Sequence, residues 1–278
     1  MSLISLDQSE YKSLDAKSYD REKRRLRIEL LKLQEDVIKN NRKLCIIFEG
    51  RDTAGKSTAI RFFSEYLRPQ HFNYVQLGIP TKWESSHWFQ RWKKTLPKSG
   101  EISFLDRSWY TRAITEPLMG YCTENQYRSF MKRVNKWENR QIEDGIELTK
   151  FYFSLSRDQQ KIRMKARKNS ELKYWKLSKN DEKIITKWNA FTLYKEQMFD
   201  RTSTDVNPWI SINSNNKMIA RLTSLRYLLI KTEYEGKKIL KPTNWSKSLN
   251  NYSTNLEGIS FENLSYEQFM VLSKYTDS

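Results

Sequence analysis

Short apolar runs along the chain alternate with stretches of helical periodicity. Five runs have the length and composition of buried strands, at residues 44–48, 74–77, 102–105, 148–153 and 209–212. Helical patterns separate these runs, beginning with residues 58–66. Strands that alternate with helices form βαβ units. The pattern therefore predicts an α/β fold with a mostly parallel, five-stranded sheet.

The N-terminal segment has a different pattern. Residues 8–40 are predicted to form one or two helices, because apolar side chains recur every three or four positions with charges between them. The apolar stripe consists of Leu26, Leu30, Leu33 and Val37. We expect it to pack on its own domain, with a second subunit as the alternative.

The C-terminal segment is predicted to be an appendage. After Ile230 the chain becomes polar, and residues 235–278 are expected to form a tail with one short helix near residues 266–275. The whole chain contains only eight Gly and six Pro, which leaves little room for a long linker. A single domain over residues 1–278 is therefore expected.

Charge narrows the choice of partner. The 278 residues are 38% hydrophobic and 30% charged, which is typical of a globular protein. The net charge is +17, so the partner is expected to be an anion. Nucleic acid, a membrane surface and a polyanionic substrate remain open on this evidence, as does a basic surface that serves solubility alone.

Scarce residue types disfavour several kinds of site. Cys45 and Cys122 form no C-x-x-C pair, so neither a zinc ribbon nor a redox pair is expected, and Cys45 suits the core. His71 and His87 are too few and too far apart for a multi-histidine metal site. The sequence begins without a secretory signal pattern and has no run of about 18 apolar residues, so a cytoplasmic location without a membrane span is expected.

The clearest chemical motif is a phosphate loop. Residues 50–57 read G-R-D-T-A-G-K-S and match G-x-x-x-x-G-K-[ST] at every fixed position, between a predicted strand and a predicted helix. Backbone N–H groups of such a loop bind phosphate oxygens, the lysine adds positive charge, and the serine hydroxyl can reach Mg²⁺. The expected phosphate-binding residues are Gly50, Arg51, Thr53, Ala54, Gly55, Lys56 and Ser57.

A second motif is an apolar run that ends in a carboxylate. Asp106 directly follows residues 102–105, so we expect it at the carboxyl edge of the sheet, where α/β proteins bind ligands. Mg²⁺ takes one or two carboxylates together with phosphate oxygens and water. Arg107 comes next, and its planar guanidinium suits two phosphate oxygens, with an ion pair to a nearby carboxylate as the alternative.

Asp52 places a carboxylate inside a loop that attracts anions. Bare electrostatics would repel a phosphate there, unless Asp52 holds a metal ion or steers an acceptor phosphate through one. We favour this role over a turn-stabilising bond from Asp52 to its own backbone. Asp52 and Asp106 are thus the expected ligands of Mg²⁺, with Mn²⁺ as a substitute.

The most basic segment, residues 161–187, is predicted to be a lid. It holds ten Lys or Arg residues against three acidic ones. P-loop kinases close a lid over the phosphates, and ten cations suggest an anion longer than one triphosphate. Part of the segment is expected to be a solvated helix face. Tyr174 and Trp175 lie among the lysines and could stack on bases, so nucleic acid is a rival ligand.

Aromatic residues cluster before the second motif. Trp88 and Trp92 are four residues apart, a spacing typical of core packing. The alternative is that this region helps to hold an acceptor nucleotide. The residues assigned to that role are Asp52, Glu84, Arg91 and Arg112.

A series of sequence blocks between residues 26 and 234 resembles the family-2 polyphosphate kinases, in particular their one-domain members. Those at the two motifs are F-E-G-R-D-T-A-G-K-S (48–57) and F-L-D-R-S-W-Y-T-R (104–112). The others are W-F-Q-R-W (88–92), L-P-K-S-G-E-I (96–102), M-G-Y-C-T-E (119–124), W-K-L-S-K-N-D (175–181), N-P-W (207–209) and A-R-L-T-S-L-R-Y-L-L (220–229). Several blocks in one order are far more specific than a phosphate loop alone.

The resemblance implies a three-layer P-loop kinase fold with a helical lid, usually assembled into dimers or tetramers. It implies reversible, Mg²⁺-dependent phosphoryl transfer between inorganic polyphosphate and nucleoside diphosphates such as ADP and GDP. By motif position, Asp52 and Asp106 would hold the metal and position the acceptor, whereas Lys56 and Arg107 would bind the transferring phosphate. The lid residues along the polyphosphate would be Arg163, Lys165, Arg167, Lys168, Lys173 and Lys176.

Three features depart from the family pattern. Many relatives have Gly where this chain has Ser57, which is closer to an ordinary phosphate loop. Tyr174 stands where relatives often carry a basic residue, so the lid is expected to grip its anion somewhat differently. The tail after Tyr234 has no counterpart that the resemblance explains.

Direct in-line transfer is the preferred hypothesis for the chemistry. A phosphate oxygen is already ionised at pH 7, so catalysis needs positioning and charge neutralisation rather than a general base. The rivals are a nucleoside or nucleotide kinase with ATP as donor, a nucleic-acid-binding ATPase, and an interaction protein with a degenerate loop. Intact Lys56, Ser57 and Asp106 argue against the last. Three questions stay open: the direction of transfer, the order of preference among AMP, ADP and GDP, and the number of subunits. Neither nucleic acid nor a membrane is an expected partner.

Overall fold

A computed structural model describes residues 2–6, 16–172, 174, 186–238 and 240, together with the backbone of three further strands. Its centre is a sheet in the order β3-β4-β2-β5-β6-β1-β7. The strands are Ile4–Leu6 (β1), Lys43–Gly50 (β2), Phe72–Val75 (β3), Glu101–Asp106 (β4), Ile146–Ser154 (β5), Trp209–Asn213 (β6) and Trp245–Lys247 (β7). A separate antiparallel hairpin is formed by Tyr252–Leu256 (β8) and Ile259–Leu264 (β9).

All five predicted strands are present, and their four pairings are parallel. The predicted number of strands was nevertheless wrong. β1 pairs with β6 as a sixth parallel strand, and β7 pairs with β1 in the antiparallel direction. Both additional strands are three residues long, so neither has the apolar run by which a buried strand is recognised.

The described residues also form nine helices, most of them in the connections between strands. They are Ala16–Lys39 (α1), Lys56–Ser64 (α2), Lys82–Ser86 (α3), Trp88–Lys93 (α4), Thr115–Met119 (α5), Glu124–Glu143 (α6), Arg157–Lys168 (α7), Trp188–Thr202 (α8) and Lys217–Lys231 (α9). Short 3₁₀ turns occupy Pro69–His71 and Trp109–Ala113. Each helix in this part of the chain is too short or too polar to cross a bilayer.

Two apolar layers cover the two faces of the sheet. Alternation along β2 sends Leu44, Ile46 and Phe48 to one face, and Cys45 and Ile47 to the other. The first layer includes α1, α2 and α9, and the second includes α4, α6 and α8. The expected three-layer arrangement is therefore present, with Cys45 in the core.

The predicted stripe on the N-terminal segment packs within its own chain. Its four apolar side chains on α1 are fully buried in the first layer, where α9 contributes Leu222 and Leu225. One helix, α1, accounts for residues 16–39 of the predicted segment, and residues 7–15 lie outside the described part of the chain.

The predicted lid and tail are described only in part. Helix α7 covers the start of the lid, but residues 173 and 175–185 lie outside the described part. The helix expected near residues 266–275 also lies outside it. The tail is not simply an appendage, because its strand β7 hydrogen bonds to β1 and extends the sheet.

Lys150 is a buried charge near the middle of β5. Its Nζ donates to Glu138 Oε2 at 3.0 Å, to the Thr202 carbonyl at 2.9 Å and to Tyr110 Oη at 3.2 Å. Burial lowers the pKa of Lys150, and the carboxylate of Glu138 opposes that effect. Trp109 Nε1 donates to the other oxygen of Glu138 at 2.8 Å. This network connects β5 with α6 and α8.

Replacement of the buried lysine should destabilise the fold. In Lys150→Met, the carboxylate of Glu138 loses its charged partner, and we expect the free energy of unfolding to fall by about 3–5 kcal/mol. Urea denaturation followed by circular dichroism measures the change. Lys132→Met, at an exposed position on α6, is the matched control and should change the free energy by less than about 0.5 kcal/mol. Equal effects in the two variants would contradict the structural role of the network.

Candidate active site

Residues 50–57 run from the last residue of β2, through the turn, into the first two residues of α2. Gly50 has φ +140°, and a Cβ at this position would lie 2.4 Å from the carbonyl oxygen of Phe153. Gly55, directly before α2, has φ +106°. Thr53 also lies in the left-handed region with φ +65°, which is strained for a β-branched residue. The loop is therefore held in one backbone shape at the N-terminus of a helix, where phosphate oxygens bind.

Lys56 lies across this loop. Its side chain is buried, and Nζ donates to the carbonyl oxygens of Gly50 at 2.9 Å and Arg51 at 3.1 Å. Burial lowers the pKa of Lys56, as does the charge of Arg107, while Asp106 and two other carboxylates oppose them. The ammonium is thus fixed by the backbone of the loop rather than by a single ion pair.

Asp106 is the last residue of β4 and is almost fully buried. The register of the sheet places it beside Phe48, just before the phosphate loop. Ser57 Oγ donates to Asp106 Oδ2, and Tyr74 Oη donates to the same oxygen at 3.0 Å. Burial and the carboxylate of Asp106 raise the pKa of Tyr74 to about 12, so this phenol remains a donor at neutral pH.

Arg107 forms an ion pair with the phosphate loop. Its Nη2 donates to Asp52 Oδ1. Burial acts to raise the pKa of Asp52, but the charges of Arg107, Lys56 and Arg167 outweigh it and lower that pKa below its ordinary value. Asp52 is therefore ionised at neutral pH. The ion pair that the sequence left as the alternative for Arg107 is present.

The oxygen donors near Lys56 fit a magnesium-type ion. Asp52, Ser57 and Asp106 offer carboxylate and hydroxyl oxygens, which are the hard donors that Mg²⁺ prefers. Across the described ranges, no three or more His, Cys, Asp or Glu side chains converge on one point. The donor set suits an ion that completes its shell with phosphate oxygens and water, and it does not suit a closed structural site.

A cavity of about 220 Å³ has Arg107, the ion-pair partner of Asp52, in its wall. Its wall is built from the chain after β3, from α4, from the turn at Trp109–Ala113 and from α5. The residues that give it an aromatic wall with a few polar groups include Trp88, Arg91, Trp92, Arg107, Thr111 and Glu116. Such a lining is typical of sites that bind small molecules.

Three of the four residues assigned to the acceptor nucleotide meet beside this cavity. Arg112 lies with its guanidinium carbon 4.0 Å from the ring centre of Trp88, and Arg91 Nε lies 3.7 Å from Glu84 Oε1. Arg91 Nε and Nη1 are buried and have no hydrogen-bond partner among the described residues. Asp52, the fourth, is connected to the cavity through its ion pair with Arg107.

Two arginines assigned to phosphate or polyphosphate have side chains held by protein groups. Arg51 Nη2 donates to Thr192 Oγ1 at 2.5 Å, and its guanidinium carbon lies 3.4 Å from the ring centre of Trp188. Arg163 donates to the Thr53 carbonyl at 3.1 Å and to two carbonyl groups in the loop between β6 and α9. A contact from Arg51 to phosphate would thus come from its backbone N–H.

The other lid residues differ in position. Arg167 on α7 is half-buried and close enough to Asp52 to lower its pKa. Lys165 and Lys168 are exposed on the same helix. The remaining two, Lys173 and Lys176, lie outside the described residues.

Comparison with known proteins identifies the family. The family profile described as Polyphosphate kinase 2 (PPK2) matches residues 13–239. The chain belongs to the polyphosphate kinase 2 family. Polyphosphate kinase PPK2B of Corynebacterium glutamicum is 43% identical over 220 residues, which are 79% of this chain and 72% of that protein. The GDP-polyphosphate phosphotransferase of Mycolicibacterium smegmatis is 42% identical over 220 residues, with coverages of 79% and 78%.

A solved structure of the polyphosphate kinase 2 family has the same fold. Polyphosphate kinase 2 from Arthrobacter aurescens TC1 superposes with a TM-score of 0.74 at 24% identity, over 84% of this chain and 87% of that one. The chain therefore has the α/β fold of a solved polyphosphate kinase 2 structure. Membership of the polyphosphate kinase 2 family makes the chain a phosphotransferase, and such kinases generally need a divalent metal ion.

Sequence reasoning missed several polar residues of the site. Glu49 accepts two hydrogen bonds from Ser108, and Glu116 lies 3.4 Å from Arg112 in the cavity wall. Gln160 on α7 donates to the Asp52 carbonyl at 3.0 Å. Glu49 could have been predicted as a site residue because it is acidic and directly follows a buried apolar run. Glu116 could have been predicted because it lies four residues after Arg112. No pattern in the neighbouring sequence indicates a role for Gln160.

Loss of the central charges should abolish most turnover without unfolding the chain. In Lys56→Ala and in Asp106→Asn we expect kcat to fall by roughly 10²-fold or more, because each removes an electrostatic contact that stabilises the transition state. Steady-state assays measure kcat, and circular dichroism checks the fold. Lys98→Ala, at an exposed lysine outside the site, should retain normal activity. Turnover near the control in either variant would contradict the assignment.

Proposed function

We propose that this chain catalyses reversible phosphoryl transfer between inorganic polyphosphate and nucleoside diphosphates, with ADP and GDP as acceptors. The observation that carries the proposal is the position of Arg107, which contacts Asp52 of the phosphate loop and also lines the cavity. A donor phosphate in the loop and an acceptor phosphate in the cavity would meet at this guanidinium. Relatives named for polyphosphate and for GDP support the choice of substrates.

The proposed chemistry is an in-line displacement. A β-phosphate oxygen of the acceptor attacks the terminal phosphorus of polyphosphate and forms a new P–O bond. The bridging P–O bond breaks, and the shortened polyphosphate leaves with its electron pair. The attacking oxygen is ionised at pH 7, so no side chain has to accept a proton. Lys56 and Arg107 would stabilise the charge on the transferring phosphoryl oxygens.

Asp106, Ser57 and Asp52 would hold the divalent ion, for which we propose Mg²⁺ with Mn²⁺ as a substitute. When bound, the ion neutralises phosphate charge and orients the two phosphate groups. Asp52 is ionised at neutral pH because its pKa is lowered, so it is ready to take a ligand role without losing a proton. Ser57 contributes a hydroxyl that already contacts Asp106.

The basic lid would bind the polyphosphate chain beyond the loop. Arg167, Lys165 and Lys168 lie along α7, which begins at the carboxyl end of β5 near the loop. A net charge of +17 favours a long anion over a single triphosphate. Arg163, Lys173 and Lys176 remain predicted members of this group. By resemblance to the family we also propose a homodimer or homotetramer. The sequence expectations of a cytoplasmic location and of no nucleic acid or membrane partner complete the proposal.

A donor assay tests this function directly. Purified protein with long-chain polyphosphate, Mg²⁺ and either ADP or GDP should form ATP or GTP without any other nucleotide, and a parallel reaction with AMP tests the monophosphate. Chelation of the metal with EDTA should stop the reaction. The proposal fails if polyphosphate yields no triphosphate. Product formed from ATP and a nucleoside monophosphate alone would favour the nucleotide-kinase alternative, and hydrolysis stimulated by DNA or RNA would favour the ATPase.

A substitution in the cavity wall should raise KM for the acceptor nucleotide more than KM for the donor polyphosphate. In Arg91→Met, two buried donors disappear from the cavity wall, and we expect KM for ADP to rise by about 10- to 100-fold, as for hydrogen bonds to charged groups. KM for polyphosphate should stay close to its original value. Arg128→Met, at an exposed arginine on α6, is the matched control. A parallel rise in both KM values would contradict placement of the nucleotide in this cavity.

A further inference from the structure

Glu49 is a buried carboxylate that the proposed reaction does not use. It is the penultimate residue of β2 and is 5% exposed. Its Oε1 accepts hydrogen bonds from the Ser108 backbone N–H at 2.7 Å and from Ser108 Oγ at 2.8 Å. A buried carboxylate is costly unless such bonds compensate it, so its position in the site calls for a physical reason.

The reason lies just after β4, the neighbour of β2 in the sheet, where Arg107 has an unusual backbone conformation. Its φ is +70°, in the left-handed region that a residue with a Cβ rarely adopts. A strained backbone of this kind persists only where its surroundings hold it in place. The Arg107 N–H donates to the Phe48 carbonyl at 3.0 Å, and the next N–H, of Ser108, donates to the side chain of Glu49. Two consecutive residues of β2 thus hold the amides on both sides of the strained residue.

The bond to Glu49 also marks the point where the chain leaves the sheet. The N–H of Arg107 still donates to a backbone carbonyl of β2, whereas the N–H of Ser108 donates to the side chain of Glu49. Ser108 then begins the turn at Trp109–Ala113, because its Oγ accepts from the Tyr110 N–H at 3.2 Å. The direction in which the guanidinium of Arg107 leaves the backbone is therefore fixed between a strand and a turn.

We propose that Glu49 is a positioning residue for phosphoryl transfer. Through Ser108 it holds Arg107 in the left-handed conformation that brings the guanidinium to Asp52 and to the cavity wall. Glu49 acts through the backbone of its neighbour and contacts no substrate itself. This inference rests on the proposed function, since the position of Arg107 matters only if its guanidinium binds the phosphates.

A double-mutant cycle tests the inference. Glu49→Ala removes the acceptor of both bonds, and we expect kcat for polyphosphate-dependent ATP formation to fall by about 10- to 100-fold, as for other supporting residues of a site. Glu49→Gln keeps an acceptor oxygen and should retain most of the activity. In an Arg107→Ala background, Glu49→Ala should change kcat by no more than about twofold, because the residue through which it acts is already absent.

The outcomes separate this inference from the proposed function. Equal losses from Glu49→Ala in both backgrounds would overturn the inference, since Glu49 would then act independently of Arg107. Loss of activity in Glu49→Gln as large as in Glu49→Ala would also overturn it, because the bond and not the charge is proposed to matter. An Arg107→Ala enzyme with normal kcat would instead refute the role of Arg107 in the proposed function.

Folding is checked by thermal unfolding of every variant. If Glu49→Ala fails to fold, Ser108→Ala takes its place in the cycle. It removes the hydroxyl bond to Glu49 but keeps the backbone bond, so a smaller loss of kcat is expected, again absent in the Arg107→Ala background. A loss that persists in that background would count against the inference.

Discussion

The parallel pairing of β2 with β4 is the constraint on which the site depends. Phe48 is in register with Asp106, so the phosphate loop and the second motif leave the sheet side by side. Side chains alternate along a strand, and a slip of one residue would turn Asp106 to the opposite face of the sheet. The apolar side chains of both strands hold the register, because each face of β2 is buried in a different layer. Packing of the core therefore determines the distance between the two motifs.

Opposite charges at this edge are buried together. Lys56 and Arg107 face the carboxylates of Asp52, Asp106 and Glu49, and a single member of the group would be costly to bury alone. Asp52 has a lowered pKa in the folded chain, so its contribution to stability is present above its unfolded pKa and is lost as the pH falls through the folded value. The ion pair between Arg107 and Asp52 also places a cation where the transferring phosphate is expected to bind. Substrate binding would exchange one set of opposite charges for another.

Most of the features that could be predicted from the sequence depend on residues that are close together along the chain. The phosphate loop, Asp106 and the five central strands depend on adjacent residues. The loop, Asp106 and four of the strands lie where the pattern placed them, whereas the strand predicted at residues 74–77 is Phe72–Val75. The strands β1 and β7 could not be predicted, because each is short and exists only through pairing with a distant segment. The side-chain directions of Arg51 and Arg163 depend likewise on α8 and on the loop between β6 and α9. The role proposed for Glu49 could not be predicted either, because its hydrogen-bond partner, Ser108, is fifty-nine positions away in the sequence.

The middle of helix α7 is hydrogen bonded to the phosphate loop. Gln160 and Arg163 are three residues apart on α7, and they donate to the carbonyl oxygens of Asp52 and Thr53, two adjacent residues of the loop. Arg163 also binds two carbonyl groups before α9, so three segments meet at one guanidinium. A rigid rotation of the whole helix would break these bonds while leaving buried carbonyl groups without partners. The hydrogen bonds from Gln160 and Arg163 therefore hold this part of α7 and the phosphate loop together.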